Sequence, residues 1–394
     1  MSERDTFYGN RVVNSFVQMY KKSFDEGPYS LLIEEYGQPY HDIKNSYLFN
    51  ASIQVTRNDS PRYFFNKGTA IAIHDAIMTC VSTKEFYSHV NFSVSDVGAG
   101  PKVNSRFSDY TWVSERTDNY LSKRYTDDYN RRVLGNHLLN LMTDFIVSHE
   151  QMHFLAGHAN YLRNKCNILE FREIERQNNI DPIELIRLFE LDADICATYL
   201  SLLPRIHKII RDTYPLQTRN EWEWDILAMI AIGILFGIVS INEKRFFKNK
   251  QHMRHPSACA RLLNIMRYYD TQISCACYYL YKSKDALADL DVDISIVFQT
   301  VLKELTVAYK AIGADIIHYS DFISEFLAGA STSPVVDELD RCYMPSSIRN
   351  DLIKPYSSNK NLVDSFDWID NVINFRKGII NMERHYRFPA EFLE

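Results

Sequence analysis

These 394 residues are expected to form an α+β chain dominated by helices, and three stretches carry that expectation. Tyr47 to Thr56 alternates apolar and polar side chains with the period of a half-buried strand. From about Asp127 the apolar spacing becomes helical, and Ile226 to Ile241 runs for 16 residues without a charge. The chain accordingly divides into an N-terminal α+β part (1–125), a helical core (126–270) and a helical C-terminal region (271–394).

In the first strand Tyr47, Phe49, Ala51, Ile53 and Val55 share one face, and the turn-rich Asn58-Asp59-Ser60-Pro61 closes it. Thr69 to Val81 reads as a helix. Val90 to Val97 and Tyr110 to Val113 read as further strands around the turn Gly98-Ala99-Gly100-Pro101. A long helix follows, with Val133, Leu134, Leu138, Leu141, Met142, Phe145 and Ile146 on its apolar face, ending near Lys165. Asp181-Pro182-Ile183-Glu184 opens the next, because Asp181 can cap free amides, Pro182 suits the first turn and Glu184 completes a capping-box spacing. That helix is expected to reach Leu203 and stop at Pro204.

From Ile226 the chain is expected to be mainly helical to about Leu327, with a loop at Ser331-Thr332-Ser333-Pro334. The uncharged run 226–241 is shorter than the roughly 20 residues of a membrane span, so it is read first as a buried core helix. Gly233 and Gly237 form a GxxxG, and Trp222 and Trp224 flank it. These features make peripheral membrane contact through 226–241 the alternative.

Hydrophobic residues make up 46% and charged residues 24%, the balance of a globular chain. A net charge of -6, from 44 basic and 50 acidic residues, gives no pull toward nucleic acid, and no such partner is expected. Seven cysteines form no CxxC pair, and the charged start MSERDTFYGN has no secretory apolar run. A cytoplasmic location is the expectation. Cys275-Ala276-Cys277 fits neither a zinc knuckle nor a redox motif and is read as buried thiols.

His149-Glu150-Gln151-Met152-His153 is an HExxH pentapeptide on the long helix. Positions i and i+4 share a helix face, so both imidazoles can reach one metal ion while Glu150 projects beside them. Hydrolysis on zinc needs a third protein ligand and an open position for water. On the next helix Glu190 is the candidate ligand, and Asp194, on the same face, can accept the outer N–H of a ligand histidine. Small Ala193 and Ala197 would let the helices approach. Asp192 points off that face and reads as an ordinary polar residue. His158 is given a local hydrogen-bonding or packing role, and His74 and His89 are read as structural.

Downstream come His255-Pro256-Ser257 and Arg261. With His149, Glu150 and His153, then Glu190, Ala193 and Asp194, the set resembles the gluzincin metallopeptidases. It is similar to the catalytic core of the CAAX prenyl protease and HtpX-type membrane proteases. The resemblance spans about Met142 to Ile265 and implies a zincin-like core, a zinc cofactor and peptidase activity. Those proteases have several long spans and this chain has one marginal apolar run, so a lipidated or intramembrane substrate does not carry over. The longer HEQMHFLAGH run is similar to that of the phage-exclusion peptidase Lit, which points toward a cytoplasmic bacterial or phage-defence protease. Metzincins are set aside, because Ala156 and Ala159 stand where they need Gly and a third His.

The resulting expectation is a zinc-dependent endopeptidase acting on a protein or peptide substrate. His149, His153 and Glu190 hold the metal, Glu150 is the general base, and His255 is the candidate oxyanion donor. Arg261 is expected to bind a substrate carbonyl or orient His255. The His-Pro segment also reads as the capping region of a helix from Ser257 to Tyr269. A strand edge at Val90 to Val97 or Tyr110 to Val113 is the candidate substrate cradle. Two other readings remain open: a non-haem iron oxygenase, which also uses two histidines and a carboxylate, and a helical scaffold whose metal is structural or absent.

Overall fold

The structure is a computed structural model and describes residues 12–22, 37–46, 49–55, 61–87, 128–166, 182–202, 219–246, 255–281, 284–314 and 346–353. Within them the chain is mainly helical with one small sheet, an α+β arrangement weighted toward α. Strands β1 (Tyr40–Lys44), β2 (Ala51–Val55) and β3 (Pro61–Asn66) lie in the order β1-β3-β2. β1 runs parallel to β3, pairing Tyr40 with Arg62, and β2 runs antiparallel to it, pairing Ala51 with Phe65.

Central β3 alternates cleanly. Tyr63 and Phe65 are buried, and the Phe65 ring sits 5.9 Å from Phe16 and 5.3 Å from Tyr20 of helix α1 (12–22). On the other face the Arg62 guanidinium lies over Tyr40 and the Lys44 ammonium over Phe64. The strand expected over Tyr47 to Thr56 is therefore present as Ala51–Val55. β1 and β3 were not expected, because β1 is a polar edge strand and β3 starts with the proline that closes the preceding turn. Both other expected strands lie outside the described residues, as does His89.

β3 leads straight into helix α2 (Lys67–Val81), whose first turn is tied back to the sheet. Thr69 Oγ1 donates to the Asn50 carbonyl at 2.9 Å and accepts the Asn50 amide at 2.8 Å. Helix α3 (Tyr129–Leu155) has 27 residues, about 40 Å at 1.5 Å per residue. Asp128 caps it by accepting the Arg131 amide at 2.8 Å. The single helix expected from Asp127 to Lys165 is broken: α3 stops at Leu155 and α4 (His158–Cys166) begins after Ala156-Gly157. Gly157 has φ +80°, a left-handed conformation that ends the hydrogen-bond ladder of α3.

Helix α5 (Pro182–Leu202) packs across α3. The uncharged run forms the middle of α6 (Arg219–Phe246), and Ile226 through Ile238, apart from its glycines, is buried side chain after side chain. By length and composition this helix could cross a membrane, yet most of it is enclosed by the chain itself. Its two glycines explain how. A Cβ on Gly233 would overlap the methyl groups of Leu305 on α8 (Lys284–Ile312), and one on Gly237 would come 3.0 Å from the Tyr309 ring. Tyr309 Oη closes the contact by donating to the Gly233 carbonyl at 2.9 Å.

Helix α7 (Ala258–Tyr281) lies against α5, α6 and α8 and runs through residue 270. One apolar core draws on residues from Val13 to Ile312. A smaller cluster of Leu162, Leu185, Ile186, Leu188 and Phe189 joins α4 and α5 to Leu352 of α9 (Ser346–Ile353).

Candidate metal centre

Three elements meet at the last turns of α3. His149 and His153, one helical turn apart, stand edge to face with ring centroids 4.7 Å apart, and their Nε2 atoms are 3.1 Å apart. Opposite them α5 presents Glu190 and Asp194, also i and i+4, with Ala193 and Ala197 fully buried along the same helix. Glu190 Oε2 lies 3.4 Å from His149 Nε2, and Oε1 lies 3.5 Å from His153 Nε2. All three side chains are buried, and together they form a group that could hold a metal ion.

The third element is the start of α7. Ser257 Oγ accepts the Ala260 amide at 3.2 Å, and Glu243 of α6 accepts the Ala258 amide at 3.1 Å, so the His255-Pro256 entry is anchored from two sides. His255 Nδ1 sits 3.2 Å from Glu190 Oε1 while 48% of its side chain remains exposed, which makes it the solvent-facing rim of an otherwise buried cluster. Arg261, one turn on, donates Nε and Nη2 to the two oxygens of Asp194, each at 2.7 Å. The same Nη2 lies 3.3 Å from Glu190 Oε2, and the guanidinium stacks over Phe236. Arg261 is thus seated on the carboxylates of α5, where the sequence suggested a contact with substrate or with His255.

Burial dominates the electrostatics, and each group answers it differently. Burial alone would raise the Glu190 carboxyl, but His255, Arg261 and a hydrogen bond from His149 hold it well below the ordinary carboxylate range. Burial pulls His149 down, and hydrogen bonds and charge from Asp194 and Glu190 carry it up to about 10. His153 is held well below the ordinary histidine range by burial. Burial also lifts the Glu150 carboxyl to about 7, near neutrality. A group poised there can take a proton and give it back.

The donor set fits a metal on two counts. A tetrahedral ion about 2.0–2.1 Å from each ligand places those ligands about 3.3–3.4 Å apart, and the three separations here are 3.1, 3.4 and 3.5 Å. The outer ring nitrogens also have polar neighbours: Asp194 Oδ1 lies 2.9 Å from His149 Nδ1 as an ion-pair contact, and His158 Nδ1 lies 3.3 Å from His153 Nδ1. In the metal-free chain His149 Nε2 faces Glu190 as a donor; a metal would displace that proton, and with the outer nitrogens protonated both Nε2 atoms would then offer lone pairs beside the carboxylate. Two imidazole nitrogens and a carboxylate at these separations are a donor set that a cation can take over from protons.

His158 and Asp192 were not read from the sequence as parts of this site. His158 Nε2 is 2.8 Å from Asp192 Oδ2, and both are buried behind His153. No family model, curated protein or solved structure matches the chain.

Proposed function

We propose that the chain is a zinc-dependent endopeptidase with a zincin-like core, hydrolysing peptide bonds of a protein or peptide substrate. The observation that carries this reading is the convergence of His149, His153 and Glu190 within 4.8 Å of one another, with Glu150 buried on the same turn as the first histidine. Zinc bound by these three would acidify a water and polarise the substrate carbonyl. Everything else falls to the chain. Glu150 takes the water's proton as the oxygen attacks the peptide carbon, then passes it to the departing amine. His255, half exposed at the rim, donates a hydrogen bond to the carbonyl oxygen as negative charge gathers there. Arg261 and Asp194 hold Glu190 and His149 in place from behind. A base beside the metal suits hydrolysis, whereas an iron oxygenase has no use for one at that position.

Purified wild type and Glu150→Gln decide the matter. Wild type is expected to carry about one zinc per chain and to generate new N-termini in expressing cells. Glu150→Gln should keep the zinc and lose cleavage by roughly 10²–10⁴-fold. Full cleavage by the variant overturns the general-base role, and iron with oxygen consumption in place of zinc overturns the class. Glu190→Ala should empty the site, and unchanged zinc content would reassign the third ligand.

A further inference from the structure

We infer that His158 and Asp192 are positioning residues that fix the ring orientation and proton placement of His153, so that its Nε2 is delivered to the metal as a bare lone pair. The inference rests on the metal-binding reading above. It starts with Gly157, whose φ of +80° stops α3 and turns the chain back beneath it. A side chain there would be strained by that backbone conformation, and its Cβ would lie 2.6 Å from the Leu352 carbonyl oxygen on α9. The turn brings the first residue of α4 under the last ligand of α3. The His158 ring then stacks flat on Phe189 of α5, centroids 4.4 Å apart and planes 8° apart, which sets its azimuth.

The hydrogen-bond logic runs in one direction. A carboxylate oxygen accepts, so with Asp192 Oδ2 as the acceptor His158 Nε2, 2.8 Å away, carries the proton. That leaves His158 Nδ1 as an acceptor, 3.3 Å from His153 Nδ1, which must then be the donor. His153 Nε2 is left without a proton on the side that faces His149 and Glu190. The two ligand histidines are therefore supported unequally: His149 by Asp194 directly, His153 by Asp192 at one remove through a second imidazole. An ordinary packing role would not require the chain of donors to end on a ligand atom.

The test is zinc affinity, measured on the full chain by competition with a chromogenic chelator, beside the unfolding midpoint of the metal-free protein. The double variant His158→Phe/Asp192→Leu keeps the stack on Phe189 and replaces the polar relay with apolar groups of similar size. Its metal-free midpoint is expected to stay within a few degrees of wild type or to rise. Its zinc affinity is expected to fall about 10–100-fold. Asp192→Asn alone, which keeps shape and an acceptor oxygen, should lose several-fold. Wild-type affinity in both variants overturns the relay while leaving the metal site standing. A wild-type chain that takes up no zinc overturns the metalloenzyme reading itself.

Discussion

At its first turn α3 buries Arg131, and at its last turns it buries His149 and His153. Arg131 fans outward: Nη1 donates to the carbonyls of Val81 and Thr83 at 2.7 Å each, and Nη2 donates to that of Lys84 at 3.1 Å. The guanidinium closes the C-terminal end of α2, where carbonyls lack helical partners, and buried Glu304 nearby accepts the Tyr87 amide. The Nη donors there meet carbonyl acceptors, while the buried Arg131 Nε finds none. At the other end nitrogens and carboxylate oxygens converge on one another, and Arg261 and His255 balance them only from one side. Burial of charge marks both ends equally. The direction in which lone pairs point tells a structural pin from a site.

If that contrast is right, damage to the Arg131 end should cost stability and damage to the histidine end should cost function. Arg131→Met is expected to have the largest effect, about 3 kcal/mol in denaturant unfolding of the metal-free chain, because the Val81 and Lys84 carbonyls lose the guanidinium and Thr83 keeps only the Phe86 amide. A shift below about 1 kcal/mol would erase the distinction. Next comes Gly233→Val, which drives methyl groups into Leu305 and should cost about 2 kcal/mol without altering zinc affinity.

A pH scan isolates a smaller contribution on α2. Burial lowers His74 to about 4, below its ordinary 6.5, so the unfolded chain binds its proton first. Stability should be fully present above pH 6.5 and decline as pH falls toward 4. The loss is expected at about 1–2 kcal/mol, less than full burial would give, because part of the ring reaches solvent. His74→Gln should flatten that slope in a pH series of unfolding midpoints. The opposite sign belongs to the site: Glu150→Gln should not cost unfolding stability, and relieving a carboxyl lifted from 4.5 to about 7 should contribute on the order of 1–3 kcal/mol. Above pH 7 the shift should be stabilising, since burial penalises the carboxylate that Gln cannot form. A large loss there would make Glu150 a structural residue.

The group that could hold a metal was legible because each half of it is local. His149 and His153, and likewise Glu190 and Asp194, sit one helical turn apart, and that spacing on a helix puts both members on one face. The relay was not legible. Within a helical pattern a single glycine reads as tolerated, so the turn at Gly157 that redirects His158 carried no signal. Asp192 looked like a polar bystander because its partner, His158, is 34 residues away on another helix. Arg261 was singled out in the sequence, but its seat on Asp194 depends on how α5 and α7 cross.

Local periodicity and capping chemistry thus determined the mainly helical class, the helix that carries HExxH and the pairing of candidate ligands within each helix, since these depend on neighbours along the chain. Tertiary structure decided the rest. Only packing chose whether the apolar run 226–241 was enclosed, by seating α8 against Gly233 and Gly237. Only the turn at Gly157 and the crossing of α3 with α5 and α7 brought Asp192, His158, His255 and Arg261 to the same buried carboxylate and imidazoles. Contacts between distant residues depend on relative placement in space, which no spacing along the sequence encodes.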